Sequence, residues 1–350
     1  MDLIVLSGLG VGLVFGYALQ RGRFCMNSAT RDSVMLRDFT LLKAVGVALL
    51  VEMVGFALLE ITGLQATLPK PFFWGANLVG SFTFGVGMVL AGACASGITY
   101  RSGEGMVSAM VAAIGLSVAA YYTATEGSFL NPIATNLQSS TMIKTADGAN
   151  LTLANLLGVP YWMLALGIAL VASVAWVWLA RPFSLEATRA RAKARTAQGA
   201  AGGWGWMTAG IIIGLIAIVA FPLSVAAGRP STIGITDGWI GLLKAIFLGG
   251  AWGWAPLLIV GIIVGSLAAA VINNEFKFRA PSTGMLAQVF LGGLLMGFGA
   301  VCSAGCNIGH ILSGLPQLAI GSIVATVAIV AGAWLTSYLI FNLLRKSPAV

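Results

Sequence analysis

Long apolar stretches separated by short polar loops run through almost the whole chain. A helix needs about 20 residues to cross the hydrocarbon core of a bilayer, and nine stretches are about that long. They cover residues 3–20, 40–60, 76–93, 106–123, 158–180, 205–227, 250–272, 286–304 and 317–343. The pattern predicts an all-α polytopic membrane protein with about nine transmembrane segments.

Composition and charge agree with this fold class. Of the 350 residues, 58% are hydrophobic and only 9% are charged, whereas soluble domains carry about 25% charged residues. The net charge of +8 sits in loops and calls for no nucleic acid partner. The four cysteines form no Cys-x-x-Cys pair, and no histidine pair accompanies them, so we predict no disulfide framework, no metal and no cofactor.

The basic residues set a topology when nine crossings are assumed. Fifteen of the 19 Lys and Arg residues then fall on one side, including the basic linker 181–203. The positive-inside rule makes that side the cytoplasm. We therefore expect an inner-membrane protein with its N-terminus outside and its C-terminus in the cytoplasm.

One glycine-cysteine motif, G-x-G-x6-C-x2-G, occurs twice without gaps. The copies are Gly85–Gly97 and Gly297–Gly309, and equivalent positions lie 212 residues apart. Segments one to four match segments six to nine, and segment five acts as a connector, so the repeats are predicted to be inverted. The expected units are repeat 1 (1–123), a middle part with external loop, connector helix and basic linker (124–204), and repeat 2 (205–350). Short, glycine-rich helices in matching positions are typical of broken or re-entrant helices at a transport site.

The cysteines at matching positions are the first candidates for chemistry. Cys94 and Cys306 occupy the same place in the two copies, and Cys25 follows Arg21 and Arg23 at the end of segment one. A thiol is a soft, weak hydrogen-bond donor, which suits a path for a polarisable anion. The alternative is that the thiols are small apolar side chains and that the arginines are membrane anchors.

Other polar residues are candidates for anion contact or for coupling. Arg23, Asn307 and His310 are possible anion contacts. Glu52 lies in the middle of segment two, where it is either a coupling group or a structural acid. Cys302 has no counterpart in the first copy and is expected to serve packing.

Three motifs in order give a family resemblance. Arg21–Asn27, Ala93–Gly97 and Gly305–Gly309 resemble the YeeE/YedE family of sulfur-compound transporters. The resemblance implies an hourglass-shaped inverted-repeat protein in which Cys25, Cys94 and Cys306 pass thiosulfate along by S–H hydrogen bonds. It also implies, as a partner, a separate cytoplasmic sulfur carrier of the TusA type, and it leaves selenium compounds open as substrates.

We therefore expect a transporter that takes up thiosulfate or a related sulfur oxyanion, lies in membrane lipid and is not an enzyme. Two alternatives remain at this stage. One is a membrane thiol enzyme or sulfurtransferase, and the other is a non-sulfur anion channel or a selenium-compound transporter.

Overall fold

The computed structural model describes residues 3–145, 148–180 and 203–346, and the elements below lie within those ranges. The α-helices are α1 Leu3–Gly22, α2 Met26–Met35, α3 Thr40–Ile61, α4 Trp74–Leu90, α5 Ala95–Gly103, α6 Val107–Ala124, α7 Asn131–Thr141, α8 Leu153–Leu157, α9 Tyr161–Ala180, α10 Trp206–Ala226, α11 Ile235–Phe247, α12 Trp254–Ile272, α13 Thr283–Cys302 and α14 Ile320–Lys346. A π-helix covers Ile308–Gly314. Two short antiparallel strands, β1 Phe72–Phe73 and β2 Met142–Ile143, pair with each other.

The predicted all-α polytopic fold is confirmed. Each of the nine predicted segments coincides with a helix, and eight helices in the described part are long and apolar enough to cross a membrane. The ninth is α9, whose apolar part Tyr161–Trp176 is shorter. The predicted basic linker 181–203 lies outside the described residues apart from its last position. The short helices within predicted loops, such as α2 and α11, were not foreseen, because they are too short to stand out from the loops around them.

Glycines bring α1 and α12 into direct backbone contact. A Cβ on Gly12 would overlap the carbonyl of Leu258, and one on Gly265 would overlap the carbonyl of Leu13. Small residues four apart commonly permit this close approach in membranes, where apolar side chains gain little from one another. The glycine rows in these segments therefore serve helix packing.

The helices that carry the two motif copies, α4 and α13, cross antiparallel. A Cβ on Gly80 would lie 2.9 Å from the carbonyl oxygen of Gly299, and one on Gly87 would lie 2.6 Å from that of Gly292. Positions 80 and 292 are equivalent at the 212-residue spacing, as are 87 and 299. The two copies thus meet head to tail across a local twofold axis.

Contacts between loops divide the described loops into two sets. At the Arg23 end (residues 20–39, 91–106 and 273–282), Arg23 pairs with both Glu104 and Glu275. At the Lys70 end (residues 62–73, 125–145, 148–160, 227–253 and 303–319), Leu68 donates its N–H to Gln317 at 2.7 Å. The sets match the alternation expected from nine crossings. The orientation of the ends across the membrane, and the boundaries of the repeats, stay predictions.

Candidate functional site

Three of the four cysteines share one local setting. Each follows a long helix, lies two residues after a residue of positive φ, and directly precedes a shorter helix or turn. The positive-φ residues are Arg23 (φ 48°) before Cys25, Gly92 (φ 73°) before Cys94 and Ala304 (φ 61°) before Cys306. The reversal of backbone hand ends the first helix and turns the cysteine inward.

The breaks before Cys94 and Cys306 are built alike. Gly92 and Ala304 are equivalent positions, and each donates its N–H 3.1 Å to the carbonyl three residues earlier. A left-handed residue is a common way to end a helix, and glycine is its usual occupant. Alanine at position 304 adopts the same conformation against its own preference.

Cys25 and Cys94 form a buried thiol pair. Their sulfur atoms lie 3.6 Å apart, and the two side chains are at most 2% exposed. Cys94 also lies 3.3 Å from the hydroxyl of Ser96 and accepts the N–H of Gly97 at 3.4 Å. A Cβ on Gly97 would come within 3.0 Å of the Cys25 sulfur, so the glycine leaves the space that the pair occupies.

Cys306 lies instead against a cavity at the Lys70 end. The cavity has a volume of about 250 Å³ and is lined by Lys70, Thr236, Asp237 and Cys306 among others. The hydroxyl of Thr236 is buried and has no hydrogen-bond partner within the described ranges. Burial lowers the pKa of the Lys70 ammonium, and the Asp237 carboxylate opposes this shift. A cation, a hydroxyl and a thiol therefore face one small polar space.

A basic side chain donates a hydrogen bond to the helix break before Cys94 and another to the break before Cys306. Arg101 donates to the carbonyl of Gly92 at 3.1 Å, and Lys70 donates to the carbonyl of Ala304 at 2.6 Å. A positive charge is favourable at a helix C-terminus. Neither cation could be assigned to the site from the sequence. The two lie at unrelated positions in the repeats, so the 212-residue spacing could not have found them.

Arg23, Asn307 and His310 have different surroundings. Arg23 binds Glu104 at 3.0 Å and Glu275 at 2.7 Å, so carboxylates already occupy its guanidinium. His310 is fully buried, with Nε2 3.0 Å from the carbonyl of Ser303 and Nδ1 3.2 Å from the hydroxyl of Ser322. The carbonyl can only accept, which assigns a proton to Nε2, and burial together with the nearby Lys70 ammonium lowers the pKa of the ring. Their roles as anion contacts stay predictions.

Asn307 and Glu52 both carry polar atoms without partners. Asn307 follows Cys306, is fully buried, and neither its amide oxygen nor its amide nitrogen is hydrogen-bonded to any described residue. Glu52 is also fully buried, and both carboxyl oxygens lack a partner in the described chain. Buried polar groups without partners are rare and need a reason.

The three motif cysteines belong to one contiguous buried cluster. Cys302 is buried on α13 but lies outside that cluster, and its packing role stays a prediction. A larger groove of about 510 Å³ lies between α6 and α11, but apolar side chains line nearly all of it. It offers an anion few polar contacts.

Comparison with known proteins identifies the family to which the chain belongs. Residues 21–335 match the sulphur transport family. The "Thiosulfate transporter TsuA" of Spirochaeta thermophila is 39% identical over 97% of this chain and 100% of its own length. The protein of the same name in Escherichia coli is 31% identical over 97% of this chain and 96% of its own length. The "Probable transporter YedE" of Escherichia coli is 31% identical over 41% of this chain and 35% of its own length. The chain belongs to the sulphur transport family of polytopic membrane proteins.

Proposed function

We propose that this protein takes up thiosulfate, or a closely related sulfur oxyanion, through a path lined by Cys25, Cys94 and Cys306. The observation that carries the proposal is the common setting of the three thiols, each buried two residues after a left-handed helix break. The two relatives named thiosulfate transporters, which match nearly the whole chain, support the choice of substrate.

The chemistry of the thiols suits thiosulfate. This dianion ends in a soft, polarisable sulfur, and thiols are soft and donate weakly. Conduction requires sites that attract an ion without trapping it. A pair of thiols at Cys25 and Cys94, and a third beside the cavity at Cys306, supply weak donors in succession.

Two positive charges complement the thiols. Lys70 lines the cavity beside Cys306, and Arg101 lies close enough to Cys25 and Cys94 to act on them electrostatically. The helices α2 and α5 begin directly after Cys25 and Cys94, and helix N-termini attract anions. The anion would therefore meet positive potential near both groups of thiols.

We further propose the orientation and the organisation of the path. The Lys70 end faces outside and the Arg23 end faces the cytoplasm, which puts the N-terminus outside and the C-terminus in the cytoplasm of the inner membrane. Residues 1–123 and 205–350 form the two inverted repeats, and 124–204 joins them. A separate TusA-like carrier would receive the substrate at the Arg23 end, and lipid would cover the apolar helix faces.

Uptake of radiolabelled thiosulfate into proteoliposomes tests the proposal. We expect Cys94→Ser and Cys306→Ala to lose most of the uptake. Cys302→Ala is the matched control, because it removes a buried thiol outside the cluster, and it should retain uptake. Unchanged uptake in both motif variants would refute the thiol path, and inhibition by nitrate or sulfate as strong as by unlabelled thiosulfate would favour a general anion channel.

A membrane thiol enzyme or sulfurtransferase is the second candidate, favoured by the 3.6 Å approach of the Cys25 and Cys94 sulfurs. A nucleophilic thiolate would attack the outer sulfur of thiosulfate, break its S–S bond, keep that sulfur as a persulfide and release sulfite. Mass spectrometry after exposure to thiosulfate separates the two functions. A persulfide on Cys25 or Cys94 supports the enzyme, and free thiols throughout, together with uptake, support the transporter.

A further inference from the structure

Glu52 lies in the middle of α3 with nothing described to keep it charged. Its side chain is 0% exposed, and neither carboxyl oxygen has a hydrogen-bond partner among the described residues. A carboxylate in a transmembrane helix is costly unless a cation or a water-filled cavity compensates it. The carboxyl in this conformation therefore holds its proton.

Among the described residues, the elements that pack most closely against α3 supply no cation to Glu52. These elements are α2, α9, α10 and the π-helix. Helix α10 contains no titratable side chain, and α2 contributes Arg31 and Asp32, which pair with each other at 2.8 Å. The π-helix contributes His310, whose two ring nitrogens are already hydrogen-bonded. On α3 itself, Lys43 lies more than two turns away from Glu52 along the helix.

The remaining titratable neighbour is Tyr161, the first residue of α9. Its side chain belongs to the same buried cluster as Phe56 and Met53 of α3, and Met53 is the residue next to Glu52. Tyr161 also lines a second cavity at the Lys70 end, of about 270 Å³. The tyrosine therefore belongs both to the cluster beside the acid and to the wall of a polar space from which a proton can arrive.

The same tyrosine connects Glu52 to the segment that follows Cys306. The Tyr161 hydroxyl donates to the carbonyl of Pro316 at 2.7 Å. Pro316 lies two residues after the π-helix, which itself packs against α3 and begins two residues after Cys306. The segment that follows Cys306 therefore contacts both Tyr161 and α3, the helix that carries Glu52. A movement of this segment at the cavity would reach the residues around the acid.

We infer that Glu52 is the proton-binding site that couples anion uptake to proton entry. This inference rests on the proposed function. A proton reaches the carboxylate from the Tyr161 cavity, forms the neutral acid, and is released on the other side when the anion crosses. The step is a reversible protonation with no other bond made or broken. It offsets part of the negative charge that a dianion carries into a negative-inside cell.

Accumulation of thiosulfate in proteoliposomes tests the inference, with the membrane potential clamped at zero by valinomycin and equal potassium. If one proton enters with each anion, an inward gradient of one pH unit raises the accumulation ratio of the wild type about tenfold. Glu52→Gln should exchange thiosulfate at equal concentrations and show no response to the gradient. Glu126→Gln, which changes an exposed acid, should respond as the wild type does.

A second measurement uses the unmodified protein and does not depend on a folded variant. Dicyclohexylcarbodiimide reacts with protonated carboxyl groups in apolar surroundings. It should modify Glu52 at neutral pH, leave Glu126 unmodified, and abolish the response to the pH gradient.

Wild-type flux that ignores the gradient, or a Glu52→Gln variant that keeps the tenfold response, would overturn the inference and leave the proposed transport intact. A wild type with no thiosulfate flux under any condition would overturn the proposed function instead. A gradient response that survives stoichiometric labelling of Glu52 would place the coupling elsewhere.

Discussion

Exchanging the residues at the two helix breaks tests whether backbone conformation alone sets the positions of Cys94 and Cys306. Gly92 and Ala304 are equivalent, and both have positive φ. A Cβ on Gly92 would meet no atom within 4 Å, so Gly92→Ala changes conformational preference without a clash. Ala304→Gly makes the opposite change in the other repeat.

The expected size follows from two opposing effects. The left-handed conformation costs an alanine about 1–2 kcal/mol, and replacing glycine by alanine gains about 0.4–1 kcal/mol by restricting the unfolded chain. Gly92→Ala should therefore lower the free energy of unfolding by about 1 kcal/mol, and Ala304→Gly should raise it by a similar amount. The two sites lie at opposite ends of the protein, so the double variant should return close to the wild type.

Reversible unfolding in mixed detergent micelles measures these differences, and thiosulfate uptake checks that the thiols keep their places. We expect all three variants to retain uptake, since neither change adds an atom to the path. A neutral or stabilising Gly92→Ala, or a destabilising Ala304→Gly, would refute the reasoning. Side-chain contacts would then have to determine where the helices end.

Three further predictions address the site. Lys70→Met should weaken the apparent affinity for thiosulfate about 10- to 100-fold, because it removes one charge-assisted contact of about 1.5–3 kcal/mol. Uptake kinetics measure this affinity, with Lys144→Met, which changes an exposed lysine, as the control. Equal effects of the two substitutions would contradict a local role for Lys70. Gly97→Ala should reduce uptake although it favours the helix, since its Cβ crowds both thiols, whereas Gly167→Ala, with nothing within 4 Å, should not. Burial and the nearby Lys70 ammonium lower the pKa of His310 to about 3, below the unfolded value of about 6.5. Stability should therefore fall as the pH drops below about 6.5, by about 1.4 kcal/mol per pH unit. As the only histidine, His310 should give one imidazole NMR signal that stays neutral at pH 5; a midpoint near 6.5 would contradict this.

The membrane segments could be predicted from the sequence because they depend on local patterns. Apolar length marks each membrane helix, and the 212-residue spacing pairs Gly92 with Ala304, which both have positive φ. The bounds of a long apolar helix, and the equivalent position in the second motif copy, can both be read from the order of residues alone.

The composition of the candidate site depends on contacts between distant segments. Cys25 and Cys94 are 69 positions apart, and Lys70 reaches Ala304 across 234. The sequence predicts Arg23 as an anion contact, but it gives no sign of the carboxylate partners Glu104 and Glu275, which come from two other loops. No spacing rule connects such residues, since their proximity results from how the helices pack.

The burial of all four cysteines gives the protein a surface without thiols. Cys25, Cys94, Cys302 and Cys306 are each at most 2% exposed. A single cysteine placed at an exposed position would therefore be the preferred target of a membrane-impermeant maleimide, with no native residue to remove first. Glu126→Cys at the Lys70 end and Lys277→Cys at the Arg23 end would report, in intact cells, which end the cell presents to its surroundings.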